Sequence, residues 1–303
     1  MIKPIEKLVT ISPVIASELP FRLDTADGRF SLADRIHQDI DEWCKLAFDD
    51  GPRSHLGASI IGGQCERHVW YSFRWFKHKV FSGRMQRLFQ DGHWYEDRLI
   101  EMLRGIGCTV SQVTEAGEQH RIFAVGGHFG GSTDGAMKLP PRYMLDMPFL
   151  AEFKTANAKS FAEMHDVAHS KPQHWSQMCV YGFKLGLRYA IYFFVGKNDA
   201  DLKVEVVELD WALAQAEIAK GERLILSHVP PARLSENPSD YRCKMCDSHS
   251  VCHMGQPPDV NCRTCVSSQP MDDAKWKCNR WNIEIPGKAE ALQACTSYQR
   301  LVG

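Results

Sequence analysis

A chain of 303 residues can form one large domain, or a core with an appendage. Its formal net charge of −1 does not indicate a polyanionic partner, so any surface that binds nucleic acid must be local. Residues 1–20 contain no apolar stretch of signal-peptide or membrane-spanning length, and we therefore expect a cytoplasmic protein without membrane contact. In such a protein, eleven cysteines indicate metal ligation rather than disulfides.

The first predicted helix, Leu32–Phe48, has apolar residues at helical spacing and an expected packing role. A second helix is predicted from Cys65 to about Lys77, in a stretch where basic and aromatic residues are interleaved. Basic groups for phosphates and aromatic faces for bases suit single-strand binding. The alternative is an amphipathic helix with core aromatics and solvated charges, which we expect for most of the aromatics. The basic residues predicted to bind nucleic acid are Arg67, Arg74, Lys77, Arg84 and Arg87.

The third predicted helix, Leu88–Gly107, carries an apolar stripe. Glu96 lies one turn before that stripe and His93 one turn before Glu96, so both can share a face. A glutamate on a helix is usually solvated. A functional role for Glu96 therefore depends on the acidic residues that follow it in the chain.

Four strands are predicted in the middle of the chain. They are Cys108–Val113, Arg121–Val125, His128–Met137 and Phe149–Thr155. A glycine pair at 126–127 predicts a tight hairpin between the second and the third. Strand side chains alternate, so Glu152 and Lys154 point one way and Phe153 the other. A further hairpin can bring Asp134, on the preceding strand, beside Glu152.

Charged side chains on a mostly buried strand are costly unless they have a use. Two carboxylates and a backbone carbonyl make a hard, oxygen-only site that suits Mg²⁺ or Mn²⁺. Lys154 would then orient or deprotonate a water, or stabilise negative charge in the transition state. The alternative is an exposed strand with an ordinary salt bridge, because Asp…Glu-x-Lys is common by chance.

A predicted helix from Pro172 to Gly186 carries Gln177 and Tyr181, which are four residues apart and therefore share a face. They are either a functional pair or a polar stripe on an amphipathic helix. The remaining predicted elements are the helices Phe161–His169 and Asp210–His228 and the strands Arg188–Val195 and Leu202–Leu209.

Cysteines concentrate after Tyr241, a composition shift that predicts a boundary. One upstream cysteine and a Cys-x2-Cys-x5-Cys run supply four thiolates, which select an iron–sulfur cluster or zinc. They are Cys65, Cys243, Cys246 and Cys252. Four further cysteines favour a second closed site, most simply a tetrahedral zinc. They are Cys262, Cys265, Cys278 and Cys295. His249 or His253 could replace a cysteine in either site.

The order Asp134…Glu152-x-Lys154 resembles the catalytic core of the PD-(D/E)XK nuclease superfamily, with Thr133 in place of the proline that names it. The resemblance implies a restriction-endonuclease-like α/β (α+β) core, in which a central mixed sheet is flanked by helices. It implies three parts: an N-terminal helical segment 1–54, a nuclease core 55–240, and a cysteine-rich metal-binding tail 241–303 packed on the core.

Two helical motifs extend the resemblance. Gly92-x3-Glu96 resembles the first nuclease motif, whose glutamate helps to bind metal, and RecB-type members carry a metal-binding histidine in this helix, where this chain has His93. That family histidine usually lies further from the glycine than His93 does. Gln177-x3-Tyr181 resembles the third RecB-type motif, in which both residues support the catalytic lysine and the DNA.

The segment from Ser59 to Cys65, with the later cysteine triplet, resembles the iron–sulfur branch of RecB-type nucleases. That branch includes the nuclease associated with CRISPR adaptation, and phage recombination exonucleases are related. The resemblance implies a structural 4Fe–4S cluster. It also implies a metal-dependent DNA exonuclease for recombination, repair or phage DNA processing, located in the host cytoplasm if a phage encodes it.

Expected partners are single-stranded DNA or duplex ends, with a homo-oligomer or a recombination or replication protein also compatible. A rival interpretation is a non-catalytic nucleic-acid-binding protein with a decayed nuclease fold and structural metal sites. A zinc-dependent hydrolase ranks last because the sequence lacks a histidine-rich ligand set.

Overall fold

A computed structural model describes residues 32–301 of the chain. These residues form two compact units. One contains residues 32–49 and Phe81–Arg87, and the other contains Asp50–Val80 and the residues from Leu88 onward. The larger unit thus includes parts of both the predicted core and the cysteine-rich tail, while residues 1–31 of the predicted segment 1–54 lie outside the described residues. None of the helices in residues 32–301 has the length and apolar composition needed to cross a bilayer.

Helices and strands are interspersed along the chain. The helices are α1 (Leu32–Ala47), α2 (Ala58–Ile61), α3 (Glu66–Phe73), α4 (Gly83–Gly105), α5 (Ala158–Ala162), α6 (Val167–Ser170), α7 (Pro172–Leu185), α8 (Trp211–Leu226), α9 (Tyr241–Lys244), α10 (His249–Cys252) and α11 (Lys288–Gln293). The strands are β1 (Leu56–Gly57), β2 (Thr109–Ser111), β3 (Arg121–Ala124), β4 (Phe129–Ser132), β5 (Gly135–Lys138), β6 (Phe149–Ala156), β7 (Tyr189–Gly196), β8 (Leu202–Glu208), β9 (Ser268–Pro270), β10 (Trp276–Cys278) and β11 (Ile283–Ile285).

The main sheet is mixed and has the strand order β2-β5-β6-β7-β8. β6 and β7 run parallel, and the other neighbouring pairs are antiparallel. The central strands β6 and β7 are almost entirely buried, as expected for strands covered on both faces. This confirms the prediction of a mixed α/β architecture with a central mixed sheet flanked by helices.

Strand alternation sorts the core into two layers. On one face, Phe153 packs with α4 residues such as Leu99 and Ile100. On the other face, Leu150 packs with α7 residues such as Met178. Phe153 therefore lies in the opposite layer from its neighbours on β6, as the period-two pattern predicts.

A second sheet, with the order β1-β4-β3, contains the predicted glycine hairpin. Gly126 and Gly127 have φ values of 58° and 84°, which glycine adopts at little cost. The predicted strand His128–Met137 is wrong as a single element, because it divides into β4 and β5 in different sheets. The chain leaves one sheet for the other at Thr133 and Asp134, so Asp134 lies in the gap between two strands.

Two predicted helices are also interrupted. The helix that begins near Cys65 ends at Phe73 rather than near Lys77, because Trp75 adopts a left-handed conformation with φ of 56°. The predicted helix Phe161–His169 is replaced by α5 and α6. Asp166 ends the connection between them by capping α6, where its side chain accepts a hydrogen bond from the His169 N–H.

The cysteine-rich tail contributes to the same interior as the main core. Trp276, Ile285 and Leu301 are buried within the cluster that also contains Leu150. A third sheet, ordered β11-β10-β9, presents Trp276 toward Phe73, with ring centroids 5.4 Å apart. The tail therefore completes the core instead of forming a hydrophobic centre of its own.

Arg74 is fully buried, which contradicts the prediction that it contacts nucleic acid. Its guanidinium carbon lies 5.1 Å from the Trp276 ring centroid, and its Nη2 donates a hydrogen bond of 2.9 Å to the Ser227 carbonyl. Burial lowers its pKa to about 10. The prediction was wrong because the C-terminal end of α3 is covered by the tail, which sequence spacing alone does not reveal.

Arg263, in the tail, enters the same cluster from the other side. Its guanidinium carbon lies 3.8 Å from the Trp75 ring centroid and 4.6 Å from that of Trp276. It donates hydrogen bonds of 3.1 Å to the Phe73 carbonyl and 2.7 Å to the Ser54 carbonyl. Aromatic faces and backbone carbonyls thus replace the water that this buried cation loses.

Candidate active site

Three acidic residues converge from three separate segments. Glu96 comes from α4, Asp134 from the gap between β4 and β5, and Glu152 from β6. Antiparallel pairing aligns Gly135 with Ala151, which brings Asp134 next to Glu152. Asp134 is also tied directly to β6, because its Oδ2 accepts a hydrogen bond of 2.8 Å from the Phe153 N–H.

Glu152 is the most deeply buried member of the group. Its side chain is 0% exposed, and its Oε1 forms an ion pair with the Lys154 ammonium. The Lys154 Nζ also lies 3.8 Å from Asp134 Oδ2. The second Glu152 oxygen, Oε2, is buried and has no hydrogen-bond partner. A buried carboxylate oxygen without a partner is costly, so Glu152 Oε2 is a candidate ligand atom for a cation.

The electrostatics of Glu96 and Glu152 lead to the same conclusion. Burial, and then the charge on Asp134, raise the pKa of Glu96 to about 7, although Lys154 and a hydrogen bond from Gln112 oppose the rise. Burial also raises the pKa of Glu152, while contact with the Lys154 ammonium favours its charged form. One ammonium does not neutralise three carboxylates, so the cluster has an excess of negative charge when Glu96 ionises.

Lys154 stays charged in this environment. Burial alone would lower its pKa, but the charges on Glu152 and Asp134 outweigh that effect and hold the pKa above its usual value. Its side chain remains 25% exposed. The amine is therefore a hydrogen-bond donor and not a proton acceptor at neutral pH.

The donor set fits a hard divalent cation. All three acidic groups offer oxygen, the ligand that Mg²⁺ and Mn²⁺ prefer, and Glu152 Oε2 is a buried lone oxygen. Within residues 32–301, no three His, Cys, Asp or Glu side chains already stand in a geometry that holds a metal ion. In the carboxylate cluster, the Lys154 ammonium occupies the position between Glu152 and Asp134.

Gln177 and Tyr181 are buried on α7, the layer of the core that Glu152 faces. They are joined by a side-chain hydrogen bond, and the charges on Glu152 and Lys154 both act on the Tyr181 phenol. Burial raises the pKa of Tyr181, which keeps the phenol neutral. Gly131 lets the Tyr181 hydroxyl lie close to the backbone of β4, because a Cβ at position 131 would overlap that hydroxyl.

The structure adds His174 and Tyr192 to this group. The Tyr192 hydroxyl lies 2.8 Å from His174 Nδ1, and β6–β7 pairing aligns Tyr192 with Glu152. Burial, and then the charge on Lys154, lower the pKa of His174 to about 4, so its imidazole is neutral. His174 lies one turn before Gln177 on the same predicted helix, where the sequence makes it a weaker candidate than Gln177 and Tyr181. Tyr192 could be found only by knowing which strand lies beside β6.

His93 is not buried with the carboxylates. It is exposed on α4, one turn before the half-buried Glu96. Among the other residues predicted to bind nucleic acid, Arg67 donates to the Tyr71 hydroxyl and the Pro231 carbonyl, and Lys77 forms a 2.7 Å ion pair with Asp259.

The last two predicted nucleic-acid contacts lie in the smaller compact unit. Arg84 is exposed, and Arg87 forms an ion pair with Asp41. The basic residues are therefore distributed over two units, and several of them already have protein partners.

The first four predicted cluster cysteines line one cavity of about 30 Å³, together with His249 and His253. They are Cys65, Cys243, Cys246 and Cys252. Sequence analysis missed His68, which follows Cys65 by one helical turn. Its Nδ1 lies 3.4 Å from the Cys246 sulfur and 2.9 Å from the Ser248 hydroxyl. The other four tail cysteines line a separate cavity.

No protein-family model matches the sequence, and no curated protein matches it. Among solved structures, similarity is found to an alkaline exonuclease (LHK-Exo) from Laribacter hongkongensis, with a TM-score of 0.40 and 17% identity over 60% of this chain and 90% of the other. The structure of LHK-Exo in complex with dAMP gives a TM-score of 0.40 and 18% identity, over 60% of this chain and 89% of the other. SSO0001 gives a TM-score of 0.43 and 13% identity, over 73% of this chain and 98% of the other. At these scores and identities, the similarities alone define neither a family nor an activity.

Proposed function

We propose that this chain is a divalent-metal-dependent DNA nuclease with a PD-(D/E)XK-type core, acting as an exonuclease in DNA recombination, repair or phage DNA processing. The observation that carries the proposal is the convergence of Glu96, Asp134 and Glu152 beside Lys154, with a buried Glu152 oxygen that lacks a partner. Acidic oxygens next to a fixed ammonium suit phosphodiester hydrolysis.

Glu96, Asp134 and Glu152 would hold the cation through carboxylate oxygens. A bound Mg²⁺ or Mn²⁺ supplies Lewis-acid charge for activating water and for stabilising the leaving oxygen. Asp134 is pre-positioned for this role, since the Phe153 N–H fixes one of its oxygens.

Lys154 would orient the attacking water or stabilise charge on a phosphate oxygen, because its raised pKa makes it a donor and unsuited to act as a base. Gln177 and Tyr181 would hold the lysine and the scissile strand, since their hydrogen-bonded pair faces the ion pair. Neutral His174, through Tyr192, would restrict movement on the other side of Lys154.

A 4Fe–4S cluster held by Cys65, Cys243, Cys246 and Cys252 is part of the proposal. Four thiols around one cavity are a soft donor set that fits such a cluster. Its role would be structural, because it would connect the start of α3 with α9 and α10. Within that cavity, His68 supplies a ring nitrogen close to the Cys246 sulfur.

Within the larger unit, the DNA-binding surface would include Arg67 and Lys77, with Arg74 removed because it is buried. Arg84 and Arg87, in the smaller unit, stay predicted DNA contacts. Lys77 would exchange its ion pair with Asp259 for a phosphate, which costs little because the pair is solvent-exposed. The substrates would be single-stranded DNA or duplex ends. A homo-oligomer or a recombination or replication partner stays a prediction.

The test compares end-labelled linear DNA with covalently closed circular DNA, in the presence of Mg²⁺ or Mn²⁺ and with chelator. Metal-dependent loss of linear DNA, with closed circles intact, would support an exonuclease. Glu152→Gln should abolish cleavage. Glu208→Gln is the matched control, because Glu208 lies on the same sheet but its side chain is 55% exposed and pairs with Arg188. Metal-independent DNA binding without any cleavage would instead support the rival, a non-catalytic binding protein.

A further inference from the structure

A second group of cysteines lies in the tail and has no part in the proposed nuclease chemistry. Its four members line one cavity of about 20 Å³. They are Cys262, Cys265, Cys278 and Cys295.

The first two cysteines are held by a rigid turn. The Asn261 side chain accepts a hydrogen bond from the Thr264 N–H, and the Thr264 hydroxyl accepts one from the Asn261 N–H. Asn261 also donates a hydrogen bond of 3.0 Å to the Trp75 carbonyl, which anchors the turn to the core. The backbone of Cys262 and Cys265 is therefore fixed on one side of the cavity.

The other two cysteines are brought back to this turn by the chain that surrounds them. Cys278 lies on β10 and is aligned with Ser268, which follows Cys265 by three residues. After Cys295, the chain returns to the turn, where the Leu301 N–H donates a hydrogen bond of 2.7 Å to the Thr264 carbonyl. Four separate backbone positions thus enclose the cavity without any contribution from the carboxylate site.

The chemistry of the cavity lining favours a soft metal. Besides the thiols, the lining consists of small, hydroxyl-bearing and apolar side chains, including Ser267, Ile285 and Tyr298. Regular structure around it is limited to three-residue strands, a three-residue 3-10 helix and the six-residue helix α11. A segment with so little secondary structure gains stability from a metal that closes several loops at once.

We propose that Cys262, Cys265, Cys278 and Cys295 bind a Zn²⁺ ion as a closed tetrahedral thiolate site that stabilises the tail. Each thiol loses its proton to solvent when its sulfur bonds to zinc, and no electron is transferred. The thiols do not yet stand in metal-binding geometry, and each sulfur moves by rotation about a single Cα–Cβ bond. Closing the site therefore requires a change in these side-chain rotamers.

The exposure of Cys295 provides a test on the unmutated protein. Cys295 is exposed to solvent, so burial cannot protect its thiol from alkylation. In the full chain purified under reducing conditions, zinc should slow alkylation of Cys295 at least about 10-fold, and a chelator should reverse the protection. Mass spectrometry of the alkylated peptides measures this. Equal alkylation rates with zinc and with chelator, or disulfides among the four cysteines, would overturn the proposal.

Metal content gives a second readout. The double variant Cys262→Ala/Cys265→Ala should contain about one zinc ion per chain less than the wild type, with iron content unchanged. The matched control is Cys108→Ala/Cys179→Ala, since both of these cysteines are buried and line neither cysteine cavity. A variant that retains all of its zinc would refute this ligand set. Neither measurement depends on DNA cleavage, so failure of the nuclease proposal would leave it intact.

Discussion

In the metal-free protein, ionisation of Glu96 should lower the free energy of unfolding as the pH rises. The substitution Glu96→Gln should remove this loss of stability. The pKa of Glu96 is raised from 4.5, its value in an unfolded chain, to about 7 in the folded protein. Between these values the folded state binds more protons than the unfolded state, so stability falls as pH rises and then stays lower. Below them Glu96 is neutral in both states and makes no difference.

The size of the effect follows from the shift. A rise from 4.5 to about 7 corresponds to about 3 kcal/mol for a fully buried group. Glu96 is only half-buried, and solvent screening reduces the expected value to about 1–2 kcal/mol. In chelator, Glu96→Gln should therefore be more stable than the wild type by that amount near pH 8, and by only about a quarter of that amount near pH 5.

Urea denaturation of both proteins at the two pH values measures this difference. Glu101→Gln is the control, because Glu101 lies on the same helix with an exposed side chain. Mg²⁺ should restore the stability of the wild type near pH 8, since a ligand that binds only the folded state stabilises it, and should do less for Glu96→Gln. An identical pH dependence of wild type and Glu96→Gln would refute the electrostatic reasoning.

Three further substitutions test other parts of the structure. Lys154→Met should slow DNA cleavage by about 100-fold or more, while the DNA affinity measured in Ca²⁺ is retained. A variant that cleaves DNA at the wild-type rate would show that Lys154 has no role in the reaction. Gly131→Ala should cost about 1–3 kcal/mol in urea denaturation, because the new methyl group overlaps the Tyr181 hydroxyl, and Tyr181→Phe in the same chain should recover part of that loss. Arg263→Met should destabilise the fold by about 3 kcal/mol, because two backbone carbonyls lose their donor, and an unchanged denaturation midpoint would show that the arginine is dispensable.

The core of the candidate site could be predicted because it depends on local rules. Alternation along β6 is a property of any strand, and it places Glu152 and Lys154 together without knowledge of the fold. The positions of Glu96 and Asp134, both before Glu152 in the chain, completed the predicted set of metal-binding carboxylates. Convergence still required the sheet, since Asp134 reaches β6 only because β5 pairs with it.

What sequence reasoning missed depends on contacts between distant segments. Tyr192 is important only because β7 lies parallel to β6, and nothing near Tyr192 in the chain indicates that neighbour. Arg74 has the charge of a DNA contact, but its burial depends on Trp276, about two hundred residues later. The division of the predicted strand His128–Met137 has the same origin, because its two halves pair with different partners.

The buried position of Leu301 has a consequence for how the chain reaches its native state. The larger unit seals its interior with Leu301 and Trp276, and the Leu301 N–H bonds to Thr264. During synthesis, everything before these residues would leave the ribosome with an open hydrophobic surface. This unit therefore completes its core only after Leu301 has emerged, and the exposed apolar surface is prone to aggregation until then.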